Sequence, residues 1–192
     1  MTWASAKFDK TIRAKGHYQW RFGDRNLELD WNSMINLFDN HPMDKIGGNV
    51  DKMNYTLLQF EKRPSIPKQL EDMVKQLREK FYKNTVSLIC FGSFGKTARS
   101  FNIHRDEMDV LYMQGLGEVD FSIWDADKPV SELPANIDHG GREHVTPRFH
   151  KRFKKYDICW IPRETYHMIQ PRSTRVAFSF GIEGLPDPST YI

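Results

Sequence analysis

Ile103-His104-Arg105-Asp106-Glu107-Met108-Asp109-Val110-Leu111-Tyr112-Met113-Gln114-Gly115-Leu116-Gly117 opens with two metal-capable side chains and runs on into an apolar stretch closed by two glycines. The stretch Ile103 to Gln114 reads as a β-strand. Gly115 and Gly117 mark a tight turn into the next run, Val119 to Trp124. Residues i and i+2 of a strand share a face, so this reading aims the His104 imidazole and the Asp106 carboxylate at one point. A lone H-x-D is common and carries little by itself. His-Arg-Asp also opens the catalytic loop of protein kinases, but Glu107 to Val110 bring no Asn and no Asp-Phe-Gly follows. A third ligand is offered by His167, 61 residues after Asp106 at the end of another β-like segment. Two histidines and one carboxylate on one side of a metal leave three positions open, the donor set of non-haem iron(II) oxygenases.

Outward from this stretch, short β-rich runs alternate with turns: Val86 to Phe91, Asp157 to Ile161 and Arg175 to Ile182. Ahead of them lies an amphipathic helix over residues 67–82. Leu70, Met73, Val74, Leu77 and Phe81 form its apolar stripe, and Pro67 suits its first turn. A shorter helix is expected over Asp30 to Phe38 and a strand over Tyr55 to Phe60, with Gly47-Gly48-Asn49 as a break between them. Many short strands after N-terminal helices predict a mainly β (α+β) protein with a barrel or sandwich core. The expected organisation is a single domain over 1–192. Residues 1–84 give helical and strand support, and 85–183 form the core, interrupted by an insertion over 125–155.

The chain length of 192 residues suits one domain with a proper core. A net charge of +3, from 28 basic against 25 acidic residues, gives no general nucleic-acid signature. No apolar run approaches the roughly 20 residues of a membrane helix. The first residues, Met1 to Lys7, carry no apolar core of a signal peptide. Cys90 and Cys159 both sit in apolar β-like runs and read as buried thiols of a reducing compartment. A cytoplasmic setting is therefore expected.

Two further blocks carry a family likeness. Phe91-Gly92-Ser93-Phe94-Gly95, then Phe101 to Asp106, then Val110 to Gly117 with Gln114 ten residues after His104, resemble the approach to the metal strand of JmjC-like, cupin-type 2-oxoglutarate oxygenases. Asp157 to His167 is similar to the second cupin motif, with Pro162 five residues ahead of the histidine. Arg175 to Ile182 looks like the family's last core strand. The resemblance covers roughly residues 86–182. It implies a double-stranded β-helix (jelly-roll or cupin) core, iron(II) held by His104, Asp106 and His167, and 2-oxoglutarate and O2 as cosubstrates. Three departures stand out. Tyr156 and Glu164 occupy positions where the second motif usually has glycine, so a different turn geometry is expected there. Val119 falls near the position of the lysine that grips the far carboxylate of 2-oxoglutarate. Arg175, eight residues past His167, is the candidate to replace it. Ser179 on the same strand face and Tyr112 on the metal strand are further candidate contacts.

The resemblance implies oxidative decarboxylation of 2-oxoglutarate to succinate and CO2, coupled to hydroxylation of a substrate that the sequence does not name. Protein, nucleic acid and small molecules all remain open. A metal dioxygenase or isomerase that does not use 2-oxoglutarate is the alternative enzyme, and a non-catalytic β-barrel binding module the alternative from another class. Between the metal segments, His139, His144 and His150, with Asp138 and Glu143, match no compact zinc spacing. The basic run His150-Lys151-Arg152-Phe153-Lys154-Lys155 reads as a solvated face, or as a contact for phosphates or acidic substrate at the site's rim.

Overall fold

The computed structural model describes residues 18–21 (backbone only), 29–49, 53–62, 66–81, 84–124 and 146–185. The chain forms two antiparallel sheets. The larger has seven strands: β1 (Tyr18–Arg21), β2 (Ile46–Asn49), β3 (Asn54–Leu57), β4 (Val86–Ser93), β5 (Asp109–Leu116), β8 (Asp157–Ile161) and β10 (Arg175–Ile182). Their order is β1-β8-β5-β10-β4-β3-β2. The smaller has three, β6 (Val119–Ile123), β7 (Phe149–Phe153) and β9 (His167–Pro171), in the order β7-β6-β9. The two face each other as a sandwich, the double-stranded β-helix expected of this sequence.

Alternation along the strands decides what each face meets. On β10, Val176, Phe178, Phe180 and Ile182 join one apolar cluster, together with Leu88 and Cys90 of β4, Leu111 and Met113 of β5, and Ile158 and Trp160 of β8. Helices α1 (Trp31–Asp39) and α2 (Lys68–Lys80) cover that outer face with Met34, Leu37, Leu70, Met73, Val74 and Leu77. The intervening residues Val110, Tyr112, Cys159, Ile161 and Ala177 point the other way, into a second cluster with Val119, Phe121, Ile123 and Phe153 of the smaller sheet. A strand covered on both faces has no solvated side, which is why β5 is buried at every position. Between β5 and β10 the register slips by one residue at Gly115. A Cβ there would lie 2.7 Å from the Phe178 ring, so the bulge needs glycine. Gly117, at φ +74°, makes the tight β5–β6 turn read from the sequence.

Several boundaries differ from the sequence reading, each for a local reason. α2 stops at Lys80 because Phe81, whose N–H still donates to the Leu77 carbonyl, leaves the helical region at φ −112°, ψ 46°. The strand expected over Tyr55 to Phe60 ends at Leu57. Gln59 then takes φ +52° and swings Phe60 into the core from a short 3-10 turn, Phe60–Lys62. The strand expected from Ile103 starts only at Asp109, and residues 105–108 form a loop. Four strands are absent from the sequence reading, β1, β2, β7 and β9, and β2 takes in the Gly47-Gly48-Asn49 expected as a break. β9 is short and ends in Pro171, and β7, at the edge of the smaller sheet, takes in the basic run as far as Phe153 with His150, Lys151 and Arg152 exposed. Residues before 85 supply three strands of the large sheet besides the two helices. Most of the expected insertion, residues 125–145, lies outside the described residues.

Phe178 is fully buried on the central strand pairing β4 with β5. Phe178→Ala should cost about 3–5 kcal/mol of stability, seen as a lower denaturant midpoint with an unchanged m-value. A loss below about 1 kcal/mol would contradict this packing.

Candidate active site

His104 is not on a strand but makes an isolated antiparallel bridge to His167, the first residue of β9. The bridge is reciprocal: His104 N–H donates to the His167 carbonyl at 3.1 Å, and His167 N–H donates to the His104 carbonyl at 2.9 Å. Two imidazoles are thereby set side by side, with ring centroids 4.3 Å apart. Asp106 follows in the loop, where its backbone carbonyl accepts from the Glu164 N–H at 2.8 Å. The convergence inferred from strand alternation is therefore real, but it is produced by a backbone bridge and a loop tie.

The side chains meet at their reactive atoms. His104 Nε2 lies 3.9 Å from Asp106 Oδ1, and His167 Nε2 lies 3.6 Å from Asp106 Oδ2. One donor atom from each of the three falls within 4.8 Å of the others. The opposite ring nitrogens fix the tautomers. His104 Nδ1 sits 2.9 Å from the Asn102 carbonyl, and His167 Nδ1 sits 3.0 Å from the Thr165 carbonyl. A carbonyl only accepts, so each Nδ1 carries a proton, which leaves Nε2 as the ring nitrogen turned towards the carboxylate. Burial, reinforced by His104 alongside, pushes His167 down to about 4, so it is neutral at neutral pH. Donor separations of 3.6 and 3.9 Å exceed the roughly 3 Å between adjacent donors on an ion with bonds of about 2.1 Å. A small contraction would seat one. Two imidazole Nε2 atoms and a carboxylate, all from one side, fit a divalent transition metal with open positions.

The turn ahead of His167 keeps the geometry that glycine would give. Tyr156 and Glu164, at the two positions where glycine is usual, adopt φ +71° and +60°. The different turn geometry expected from those substitutions is thus not found. Each instead holds a left-handed conformation that costs a non-glycine residue about 1–2 kcal/mol.

Behind the three ligands lies a cavity of about 130 Å³ between the sheets. His104, Asp106, His167, Tyr112, Arg175 and Ser179 all line it. Most of its remaining wall is apolar: Ile89, Phe91, Phe101, Met108, Val110, Ile161 and Ile169. Arg175 is the one cation in this lining and is only 2% exposed. Its Nε donates to Ser93 Oγ at 3.1 Å, its Nη2 to Ser100 Oγ at 3.4 Å, and it is within hydrogen-bonding reach of the Tyr112 hydroxyl. Among the described residues no carboxylate pairs with it. A buried guanidinium satisfied only by neutral hydroxyls is costly and leaves room for an anion. Desolvation pushes the Tyr112 phenol up to about 12, which keeps it a neutral donor. Its hydroxyl donates to the Gln114 side-chain carbonyl, and the Gln114 amide in turn reaches Leu116 O at 2.6 Å. Val119 is fully buried in the apolar cluster beside the cavity. Ser93 lies in the Phe91 to Gly95 block with no role expected of it, Ser100 lies in no motif, and only the pairing of β4 with β10 brings Ser93 opposite Arg175.

The other candidates lie elsewhere. His139, His144, Asp138 and Glu143 fall outside the described residues. His150 projects from β7, its Nδ1 2.8 Å from Ser122 Oγ. Arg152 and Lys154 of the basic run meet acids. Arg152 and Arg172 converge on Asp120, whose side chain is 7% exposed, and Lys154 faces Glu118 at 3.7 Å. Lys151 is exposed, and Lys155 donates to the Leu29 carbonyl at 2.8 Å.

A family model described as JmjC domain matches residues 59–187. The chain belongs to the JmjC domain family. No curated protein matches it in sequence. Among solved structures, this JmjC chain is similar to Escherichia coli YcfD, with TM-score 0.64 at 11% identity, covering 90% of this chain and 51% of that one. It is also similar to YcfD, a ribosomal oxygenase, in complex with cobalt and 2-oxoglutarate, with TM-score 0.62 at 14% identity and coverages of 90% and 49%. A complex of YcfD with cobalt and succinic acid gives TM-score 0.61, 13% identity and coverages of 88% and 48%. At these identities the likeness is one of fold, and the chain spans about half the length of each.

Burial works to raise the Asp120 carboxyl, but the hydrogen bonds and charges of Arg172 and Arg152 outweigh it and hold the group below its ordinary 3.8. A depressed folded value contributes stability above the unfolded pKa that is lost as pH falls through the folded one. Asp120→Asn should therefore unfold more easily than the native protein at pH 7. The gap should close as pH drops below 3.8, measured by denaturant unfolding across pH. A gap constant from neutral to strongly acidic pH would contradict the ion-pair assignment.

Proposed function

We propose that this JmjC-family chain is an iron(II)- and 2-oxoglutarate-dependent oxygenase that hydroxylates its substrate. His104, Asp106 and His167 would hold the metal, and Arg175 would hold the far carboxylate of the keto acid. The metal half is supported by the donor set and its tautomers. The keto-acid half rests on one observation above the others: Arg175 is a buried cation in the same cavity, with only hydroxyl partners among the described residues. YcfD, of like fold, has been solved with cobalt and 2-oxoglutarate and with cobalt and succinic acid, which favours the same cosubstrate here.

With iron(II) bound, the chemistry supplied is division of O2, one oxygen atom to the keto acid, which leaves as succinate and CO2, and one to a C–H bond of the substrate. The chain's own residues do the rest. Arg175 offers a planar pair of donors to a carboxylate, held in orientation by Ser93 and Ser100. Tyr112, neutral and buried beside it, offers a further hydroxyl, and Ser179 lies on the same face of β10. Ile89, Phe91, Val110, Ile161 and Ile169 keep the space between cation and ligands dry, which strengthens every electrostatic contact made there. The two Nδ1-to-carbonyl bonds keep both imidazoles from turning. The identity of the primary substrate stays open, although the ribosomal description of YcfD makes a protein substrate the first class to test. We place the activity in the cytoplasm, with the buried thiols of Cys90 and Cys159 in support.

The test is succinate formation from 2-oxoglutarate by the iron-loaded protein. His104→Ala should abolish it. Arg175→Met should raise the Michaelis constant for 2-oxoglutarate by about 10- to 100-fold, the usual worth of a hydrogen-bonded charge. Turnover that survives His104→Ala would remove the metal assignment. A Michaelis constant unmoved in Arg175→Met would remove the cosubstrate assignment and favour a metal enzyme that does not use the keto acid.

A further inference from the structure

Glu164 pays a backbone cost that glycine would avoid, so its side chain is where a return should be sought. Its carboxylate Oε2 lies 2.9 Å from Arg105 Nη1. Arg105 is the residue between the two proximal ligands, and Glu164 stands three residues ahead of the distal one. The Arg105 guanidinium also lies over the ring of Tyr166, 5.5 Å from its centroid. Tyr166 is itself buried, with its carbonyl taken by the Trp124 N–H at 2.8 Å. The two chain segments that carry the ligands are thus joined twice near Asp106, by the Glu164 N–H to the Asp106 carbonyl and by this ion pair.

Asp106 needs such a tie more than the histidines do. His104 and His167 are locked by their own backbone bridge, and His167 begins a strand. Asp106 lies in a loop that joins no sheet ladder, and β5 begins only at Asp109. A ligand on a loop lowers apparent affinity by the fraction of time it spends out of place.

We propose that the Arg105–Glu164 ion pair is a latch that positions Asp106 for the metal, and that this is the return on placing a carboxylate at a glycine-like position. The proposal rests on the metal-site reading above. Both residues are positioning residues, and neither touches the metal. The latch raises the share of molecules in which Asp106 faces the two Nε2 atoms before an ion arrives. Because both side chains are half-exposed, its effect weakens at high salt.

The experiment uses the full chain and Co(II) as probe, followed by the visible absorption of the bound ion, with the melting temperature of each metal-free variant measured beside it. Glu164→Gly keeps the turn and deletes the carboxylate, and Arg105→Met keeps an apolar stem and deletes the charge. Each should weaken Co(II) binding by about two- to fivefold, the range of an exposed ion pair. For Glu164→Gly, relief of the left-handed backbone and loss of the pair offset one another. Its metal-free melting temperature should stay within about 2 °C of the native value. The exchanged double variant, Arg105→Glu with Glu164→Arg, should recover most of the lost affinity. Native affinity in Glu164→Gly, or an affinity loss that only tracks melting temperature, overturns the latch and leaves the metal site standing. An exchanged variant no better than the singles overturns it equally. A native protein that takes up no Co(II) overturns the latch and the metal site together.

Discussion

The reciprocal pair of backbone hydrogen bonds between His104 and His167 is the constraint on which the candidate site depends. It joins a loop that follows β4 to the first residue of β9, two segments 63 positions apart in the chain. Backbone bonds of this kind place Cα atoms, and so fix both imidazoles before any side-chain rotamer is chosen. The rotamers are then set by two more backbone carbonyls, those of Asn102 and Thr165. What is left for the proposed metal to organise is small, mainly a loop carboxylate.

That local bridge is held in place by a global alternation. The central strands β8, β5, β10 and β4 present one face to the helices and the other to the cavity and the smaller sheet, so the same eight residues of β10 build the core and line the cavity. Phe178 and Phe180 anchor the strand against the helical layer, while Arg175 and Ser179 face inward between them. Burying a guanidinium so deeply is tolerable only with partners, and here those partners are hydroxyls. The cavity is accordingly a mostly apolar space with one cation and one cluster of metal-type donors, an arrangement that suits a short dianionic chelator better than it suits empty space.

Much of this was legible in the sequence because its signals are local. The apolar stripe of α2, the alternation of β10 and the Pro162-to-His167 spacing each depend on residues within a dozen positions. The three ligands could be picked out from such spacing together with the family likeness, which alone pointed to Arg175, Tyr112 and Ser179, and the fold brings all six to one cavity. Illegible features depended on partners far away in the chain. β7 reads as a basic run because Lys151 and Arg152 mask the inward pair Phe149 and Phe153, and only pairing with β6 makes it a strand. Ser93 and Ser100 become relevant only through strand register and loop path. Periodicity gave the correct shared aim of His104 and Asp106 for the wrong reason, since the strand begins at Asp109. Tyr156 and Glu164 misled in the opposite sense, because a left-handed turn can be held by a non-glycine residue when surrounding contacts support it.

The central claim is that one ion and one keto acid share this cavity, the acid bridging the three ligands and Arg175. Anaerobic titration of the protein with iron(II) and then 2-oxoglutarate tests it most directly, because chelation of the ion by the keto acid produces a visible metal-to-ligand charge-transfer band. The account predicts a band that saturates at one equivalent and is lost in His104→Ala. Iron(II) bound at one equivalent with no such band would contradict it.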